Sequence, residues 1–214
     1  MVHKNIFITG TGTDIGKTVI AAVLCSGFKA RYWKPIQCGP DLDREFIARW
    51  VGQEKIHPGV YEFQAPLSPH QAAPLEDQRV DMDRILAGAS ELKSPAIIEG
   101  AGGLLVPLNE TESIADLIRA LGAHPIVVAA TGLGTINHTL MTIECLRARE
   151  IEPLGVIFNG DENLKNQDTI ERRGFVPVIG RIPRAQEFSR EFFQQAFADL
   201  KWPAIKEDSY AHSH

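Results

Sequence analysis

The stretch Gly10-Thr11-Gly12-Thr13-Asp14-Ile15-Gly16-Lys17-Thr18 restricts the fold more than any other part of the chain. It follows the apolar run Asn5-Ile6-Phe7-Ile8-Thr9 and precedes Val19-Ile20-Ala21-Ala22-Val23-Leu24. In order, that reads as strand, glycine-rich loop and helix. The backbone N–H groups of such a loop and the positive end of the helix dipole together make a site for an anion. Lys17 adds a mobile positive charge, and Thr18 adds a hydroxyl able to ligate Mg²⁺. That combination is the mechanism of a phosphate-binding loop. The consensus G-x-x-x-x-G-K-[ST] expects its first glycine where Thr11 stands, and Gly10 lies one residue early. Gly10, Gly12 and Gly16 also suggest a dinucleotide fingerprint. That reading needs an acidic residue at the end of the second strand, and this one ends in Tyr32-Trp33-Lys34-Pro35. An ordinary tight turn would leave the three glycines unexplained.

With 214 residues the chain is long enough for one well-buried domain and short for two. A formal net charge of -5 gives no support to a nucleic-acid partner or an anionic membrane. No apolar run approaches the ~20 residues of a membrane span. Met1-Val2-His3-Lys4 leads straight into a strand and leaves no room for a signal peptide. Cys25, Cys38 and Cys145 are scattered and odd in number, as reduced thiols of a cytoplasmic protein would be. No histidine has zinc-like spacing to another ligand.

The remaining elements follow from periodicity and punctuation. The first helix is expected from about Gly16 to Cys25, stopping near Gly27, and a second strand from Arg31 to Ile36. Gln37-Cys38-Gly39-Pro40 reads as a loop, and Asp41 as the cap of a helix that buries Phe46, Ile47 and Trp50. Residues 57–80 carry four prolines and read as irregular; a loop that long is commonly functional. A helix over Asp81–Leu92 leads to the strand Ala96-Ile97-Ile98, which ends in Glu99-Gly100-Ala101-Gly102-Gly103. Ser113-Ile114-Ala115-Asp116 is a capping-box pattern. The all-apolar run Ile126-Val127-Val128-Ala129 suits a parallel strand buried on both faces. Further strands are expected at Leu154–Phe158 and Val178–Gly180, with helices after Thr135 and around Phe188–Phe197, and a disordered tail over 206–214. Strand and helix alternate without a composition break over residues 1–205. The expected fold is therefore α/β: a single domain with a mainly parallel β-sheet flanked by helices on both faces, like a P-loop NTPase. Ligands in such sheets bind at the carboxyl ends of the strands, where Lys17, Lys34, Glu99, Asn159 and Pro183 fall.

Four segments taken together are more specific than any one: Gly10–Thr18, Lys34-Pro35-Ile36-Gln37-Cys38-Gly39, Glu99–Gly103 and Leu133-Gly134-Thr135-Ile136-Asn137-His138, with Pro66-Leu67-Ser68-Pro69-His70 between them. In this order the chain resembles the dethiobiotin synthetases of biotin synthesis, from Ile6 to about Pro183. The resemblance implies that MgATP, carbon dioxide and diaminopelargonic acid are the substrates. One amine would be carboxylated to a carbamate, ATP would phosphorylate it, and the second amine would close the ureido ring. It implies catalytic roles for Lys17 and Lys34. It implies ATP contacts from Thr13, Asp14, Ile15, Gly16, Lys17, Thr18 and Val19, and from Glu99, Gly102, Asn159, Gly160 and Pro183. Substrate contacts fall to Thr11, Lys34, Cys38, Gly134, Thr135 and Asn137. Mg²⁺ ligands fall to Thr18, Glu99 and Asp43, with Asp41 as the alternative aspartate. It also implies a homodimer whose substrate site is shared, with Gly134-Thr135-Ile136-Asn137 supplied by the partner.

Each of these residues has a plainer reading beside that one. Lys34 could be a solvated lysine, Glu99 a loop cap, Asn159 a turn residue and Gly134-Thr135 a helix start. His70 and His138 read as structural. Three departures from the family pattern stand out. Cys38 replaces a serine or threonine, which weakens a hydrogen bond and suggests an oxidation-sensitive site. Asp14 replaces a glutamate, and Gly160 replaces an aspartate. Two rivals remain. A chromosome-partitioning ATPase would carry an extra lysine at the position of Gly12. A cobyrinate-type amide synthetase would need a glutaminase domain, for which the chain has no room.

Overall fold

The computed structural model describes residues 5–40 and 43–203. Its centre is a seven-stranded sheet in the order β4-β2-β6-β1-β7-β8-β9. The strands are β1 (Ile6–Gly10), β2 (Arg31–Trp33), β4 (Ile56–His57), β6 (Ala96–Glu99), β7 (His124–Ala130), β8 (Gly155–Asn159) and β9 (Val178–Ile182). Every neighbouring pair runs parallel. Such pairs need crossovers, and helices supply most of them. The helices are α1 (Lys17–Phe28), α2 (Asp43–Val51), α3 (Pro69–Ala72), α4 (Met82–Ser90), α5 (Ile114–Ala120), α6 (Thr135–Arg147), α7 (Leu164–Gly174) and α8 (Arg190–Ala198).

The sheet is apolar on both faces because side chains alternate along each strand. Ile6, Ile8, Ile97, Ile126, Val128 and Ile157 point toward α1, α2 and α8. Phe7, Ile98, Val127, Ala129 and Phe158 pack toward α4 to α7. β1 lies in the middle, with Ile8 in register with both Glu99 and Ile126. The loop after β1 therefore emerges between the carboxyl ends of β6 and β7.

Several expectations need correction. The expected strand Arg31–Ile36 is two strands in different sheets: β2 ends at Trp33, and β3 (Ile36–Cys38) pairs with β5 (Tyr61–Phe63) in a separate parallel ribbon. Pro35 accounts for the break, since it has no N–H to give a ladder and restricts Lys34 before it. Gln37 and Cys38 thus lie in a strand, not a loop. Residues 57–80 are more ordered than expected, holding β5, α3 and a 3-10 turn over Ala73–Glu76. α1 runs on past Cys25 to Phe28 and so stops next to Gly27 as expected, with Lys29 capping it in the left-handed conformation (φ 54°). Gly27 also serves packing: a Cβ there would sit 2.1 Å from the Phe197 ring. The capping pattern holds, with the Asp116 carboxylate accepting from Ser113 N (2.9 Å) and Ser113 Oγ (2.6 Å). Asp41 and the tail 206–214 lie outside the described residues.

Candidate active site

At the carboxyl edge, the loop, the β2–β3 corner and the end of β6 enclose a cavity of about 710 Å³. Thr13, Asp14, Gly16, Lys17 and Thr18 line one side, and Lys34, Cys38 and Asp43 another, with Glu99 and Gly102 at the base. The loop geometry follows from its residues. Gly16 sits at φ +92°, and a Cβ on it would fall 2.0 Å from Asn159 Nδ2. The Asn159 amide, at the end of β8, donates to the Ile15 carbonyl at 3.0 Å and braces the loop from outside the cavity. Ile15 and Val19 pack into the core on the α1 face.

The charged centre is compact. Glu99 is 1% exposed. Its Oε1 accepts from the Thr18 hydroxyl (3.0 Å) and the Lys34 ammonium (3.3 Å). Thr18 Oγ1 also lies 2.8 Å from Asp43 Oδ1, and Lys34 bonds to Asp43 Oδ2. One hydroxyl and two carboxylates thus converge on one point, and an ammonium already sits between the two acids. A hard cation that keeps most of its waters needs no more protein ligands than these. Among the described residues no group of three or more His, Cys, Asp or Glu is arranged to hold a metal.

The two lysines differ in electrostatics. Burial lowers the pKa of Lys17; Glu99 opposes the shift and Lys34 adds to it. Its ammonium donates to Gly12 O at 2.8 Å. For Lys34, burial also acts downward, but Glu99 and Asp43 outweigh it and the pKa rises. Lys34 is therefore a fixed cation at neutral pH.

Tyr32, which no motif contained, reaches Glu99 from below, its hydroxyl 2.9 Å from Oε2. Burial first, and then the Glu99 charge, push this phenol well above its usual range, so it stays protonated. An aromatic residue in a short strand reads as core, which is why the sequence hid it.

The other expected residues lie outside the cavity. Thr11 N donates to Val128 O, fastening the loop to β7. Gly160 N donates to Ile182 O, beside Pro183, so Asn159, Gly160 and Pro183 gather at the ends of β8 and β9. Gly134 starts α6 at φ +90°, and the buried Thr135 hydroxyl bonds to Ala130 O. Asn137 bonds to the Met141 sulfur on the same helix. His70 is occupied by Ser68, which agrees with a structural role.

A family model described as an AAA domain matches residues 4–191. The chain is 45% identical over 181 residues to the ATP-dependent dethiobiotin synthetase BioD of Paramagnetospirillum magneticum, spanning 84% of this chain and 87% of that one. It is 43% identical over 199 residues to the protein of the same name from Rhodopseudomonas palustris, spanning 91% and 92%. The chain belongs to the dethiobiotin synthetase family.

That membership decides against the partitioning ATPase, although the fold is shared. The cell-division ATPase MinD of Pyrococcus furiosus superposes with a TM-score of 0.55 at 13% identity, over 92% of this chain and 98% of that one. A ParA-family ATPase from Chlorobium tepidum gives 0.54 at 12%, over 92% and 88%. At that identity the likeness is one of fold alone. Of the departures from the dethiobiotin synthetase family pattern, Asp14 and Cys38 both line the cavity. Burial pushes the Cys38 thiol up to about 11, with Lys34 pulling the other way. The thiolate is the reactive form, so this shift works against oxidation at Cys38.

Raising the pKa means that reactivity climbs with pH across the whole accessible range. Alkylation of Cys38 by iodoacetamide near pH 8, followed by peptide mapping, should run about tenfold or more slower than for an unperturbed thiol of pKa ~8.5. It should speed up about tenfold per pH unit until pH approaches 11. A rate equal to a free cysteine's near neutrality would contradict this.

Proposed function

We propose that this chain closes the ureido ring of dethiobiotin from diaminopelargonic acid, carbon dioxide and ATP. The carrying observation is the placement of Lys34. A second, partly exposed lysine faces the phosphate loop and is tied to the same carboxylate as Thr18. A nucleotide switch has no use for that cation. A reaction that must hold an anionic carbamate beside a γ-phosphate does.

The steps balance as follows. One amine nitrogen attacks carbon dioxide and loses a proton, giving a carbamate. A carbamate oxygen attacks the γ-phosphorus, and the bond to ADP breaks. The second amine attacks the carbonyl carbon and loses a proton, the carbon–oxygen bond breaks, and phosphate leaves. Lys17 holds the γ-phosphate, and Lys34 neutralises the carbamate and then the mixed anhydride. Charge in phosphoryl transfer spreads over the transferring oxygens, so fixed cations on both sides stabilise it. Thr18, Asp43 and Glu99 would hold Mg²⁺, which supplies further charge neutralisation when bound. Asn159, Gly160 and Pro183 suit the nucleoside end, beyond the loop that Asn159 braces. No described helix is long and apolar enough to cross a membrane, and the three cysteines are free, which supports a reducing, cytoplasmic setting.

The active unit is a homodimer. Gly134, Thr135 and Asn137 start a helix that does not line the cavity, and Leu133 and Met141 beside them are exposed. A helix N-terminus attracts a carboxylate, and the far end of the diamino acid carries one. A partner subunit would bring this segment to the mouth and cover the two apolar side chains.

ADP release should require both the diamine and bicarbonate, with dethiobiotin formed in equal amount. Lys17→Ala and Lys34→Gln should each lower turnover by about 100-fold or more, with Lys34→Gln still binding a fluorescent ATP analogue. ATP hydrolysis indifferent to the diamine would point to a switch instead. For the shared site, Lys17→Ala and Asn137→Asp subunits should each be inactive alone and regain part of the activity on exchange. One site of the heterodimer then holds both unaltered halves. No recovery in proven heterodimers, or full activity in a monomer, would rule the shared site out.

A further inference from the structure

Tyr32 lies on β2 in register with Ile97 of β6. Its side chain is fully buried on the α1 face of the sheet. Glu99 is two residues beyond Ile97, hence on that same face. The phenol runs along the sheet, and its hydroxyl donates to Glu99 Oε2 at 2.9 Å. The other oxygen, Oε1, serves the Thr18 hydroxyl and the Lys34 ammonium. The two oxygens of one carboxylate therefore have separate duties, one anchored in the core and one presented to the cavity.

We propose that Tyr32 is a positioning residue for the reaction, fixing the rotation of the Glu99 carboxylate so that Oε1 alone faces Thr18, Lys34 and the divalent cation. This rests on the reading of Glu99 as a metal ligand given above. The terminal torsion of a glutamate is broad and roughly two-fold, so staggering alone does not choose its orientation. Lys34 and Thr18 both pull on one oxygen, and among the described residues no cavity-side contact holds the other back. The phenol supplies that restraint from a rigid strand. Partners behind a ligating carboxylate typically change metal affinity or activity by 10–100-fold when removed. A tyrosine that merely satisfied its own hydroxyl on the nearest acceptor would affect melting but leave metal binding alone.

Tyr32→Phe keeps the ring and removes only the donor. Mn²⁺ is the probe, followed by paramagnetic resonance with ADP present and no diamine. Its affinity should fall about tenfold or more, while ADP affinity in EDTA stays within about twofold of the parent. At fixed Mg²⁺, kcat should fall by a similar factor with the KM for the diamine unchanged. Mn²⁺ affinity within about twofold of the parent would overturn the proposal. If Tyr32→Phe does not fold, the unaltered protein gives the answer. Its three tyrosines (Tyr32, Tyr61, Tyr210) can be told apart by substituting the other two. Adding Mg²⁺ to the ADP complex should shift the Tyr32 ring-carbon resonance beyond what ADP does, and no shift would overturn the proposal. An unaltered protein that makes no dethiobiotin yet shows the Tyr32 effect on Mn²⁺ would overturn the proposed substrates and support the positioning role.

Discussion

A carboxylate buried at the end of a central strand has to be answered by other charges and donors, and the carboxyl edge of this fold is arranged around that demand. An unpaired buried charge costs several kcal/mol. Glu99, at 1% exposure, is answered by three separate elements: Thr18 from α1, Lys34 from the β2–β3 corner and Tyr32 from β2. Removing any one leaves the carboxylate under-satisfied, so the three are coupled in stability as well as in chemistry. The same coupling explains the reach of the cavity. The phosphate loop alone would hold a nucleotide, and the tie through Glu99 brings Lys34 alongside it.

Asp43 enters this centre from a helix whose position is set elsewhere. It is the first residue of α2. Phe46 and Trp50 of that helix pack against Phe188 and Phe193, with ring centroids between 5.0 and 6.5 Å apart. Aromatic pairs of this kind add about 0.5–1.5 kcal/mol each beyond the area they bury. The C-terminal helix α8, far from the cavity in sequence, thus holds an acid at its rim.

Much of this was legible in the residues. The loop Gly10–Thr18 identified itself by chemistry, and the alternation of strand and helix gave a parallel sheet whose edge collected Lys17, Lys34 and Glu99. The parts that were hidden depend on tertiary partners. Arg31–Ile36 looks like one strand, yet Pro35 hands the chain from the main sheet to a ribbon with β5, and only that second sheet places Cys38 on the cavity. β4 and β5 are two and three residues long, too short to show a period. Gly27 marks the helix end as expected, but its contact with Phe197 could not be read from the sequence. The role of Tyr32 depends on a cross-strand reach to Glu99 that no local pattern encodes. The partial burial that raises the Cys38 pKa likewise depends on partners the sequence does not show.

The central claim is that ATP phosphorylates an oxygen that came from carbon dioxide, held between Lys17 and Lys34. Heavy-oxygen-labelled carbon dioxide, supplied with the diamine and MgATP and quenched before hydration exchanges the label, tests this in one turnover. Ring closure breaks the bond between that oxygen and the carbonyl carbon, so the released phosphate should carry one labelled oxygen per dethiobiotin formed. Unlabelled phosphate, with the label confined to the product, would mean that ATP is cleaved by another route and would contradict the account.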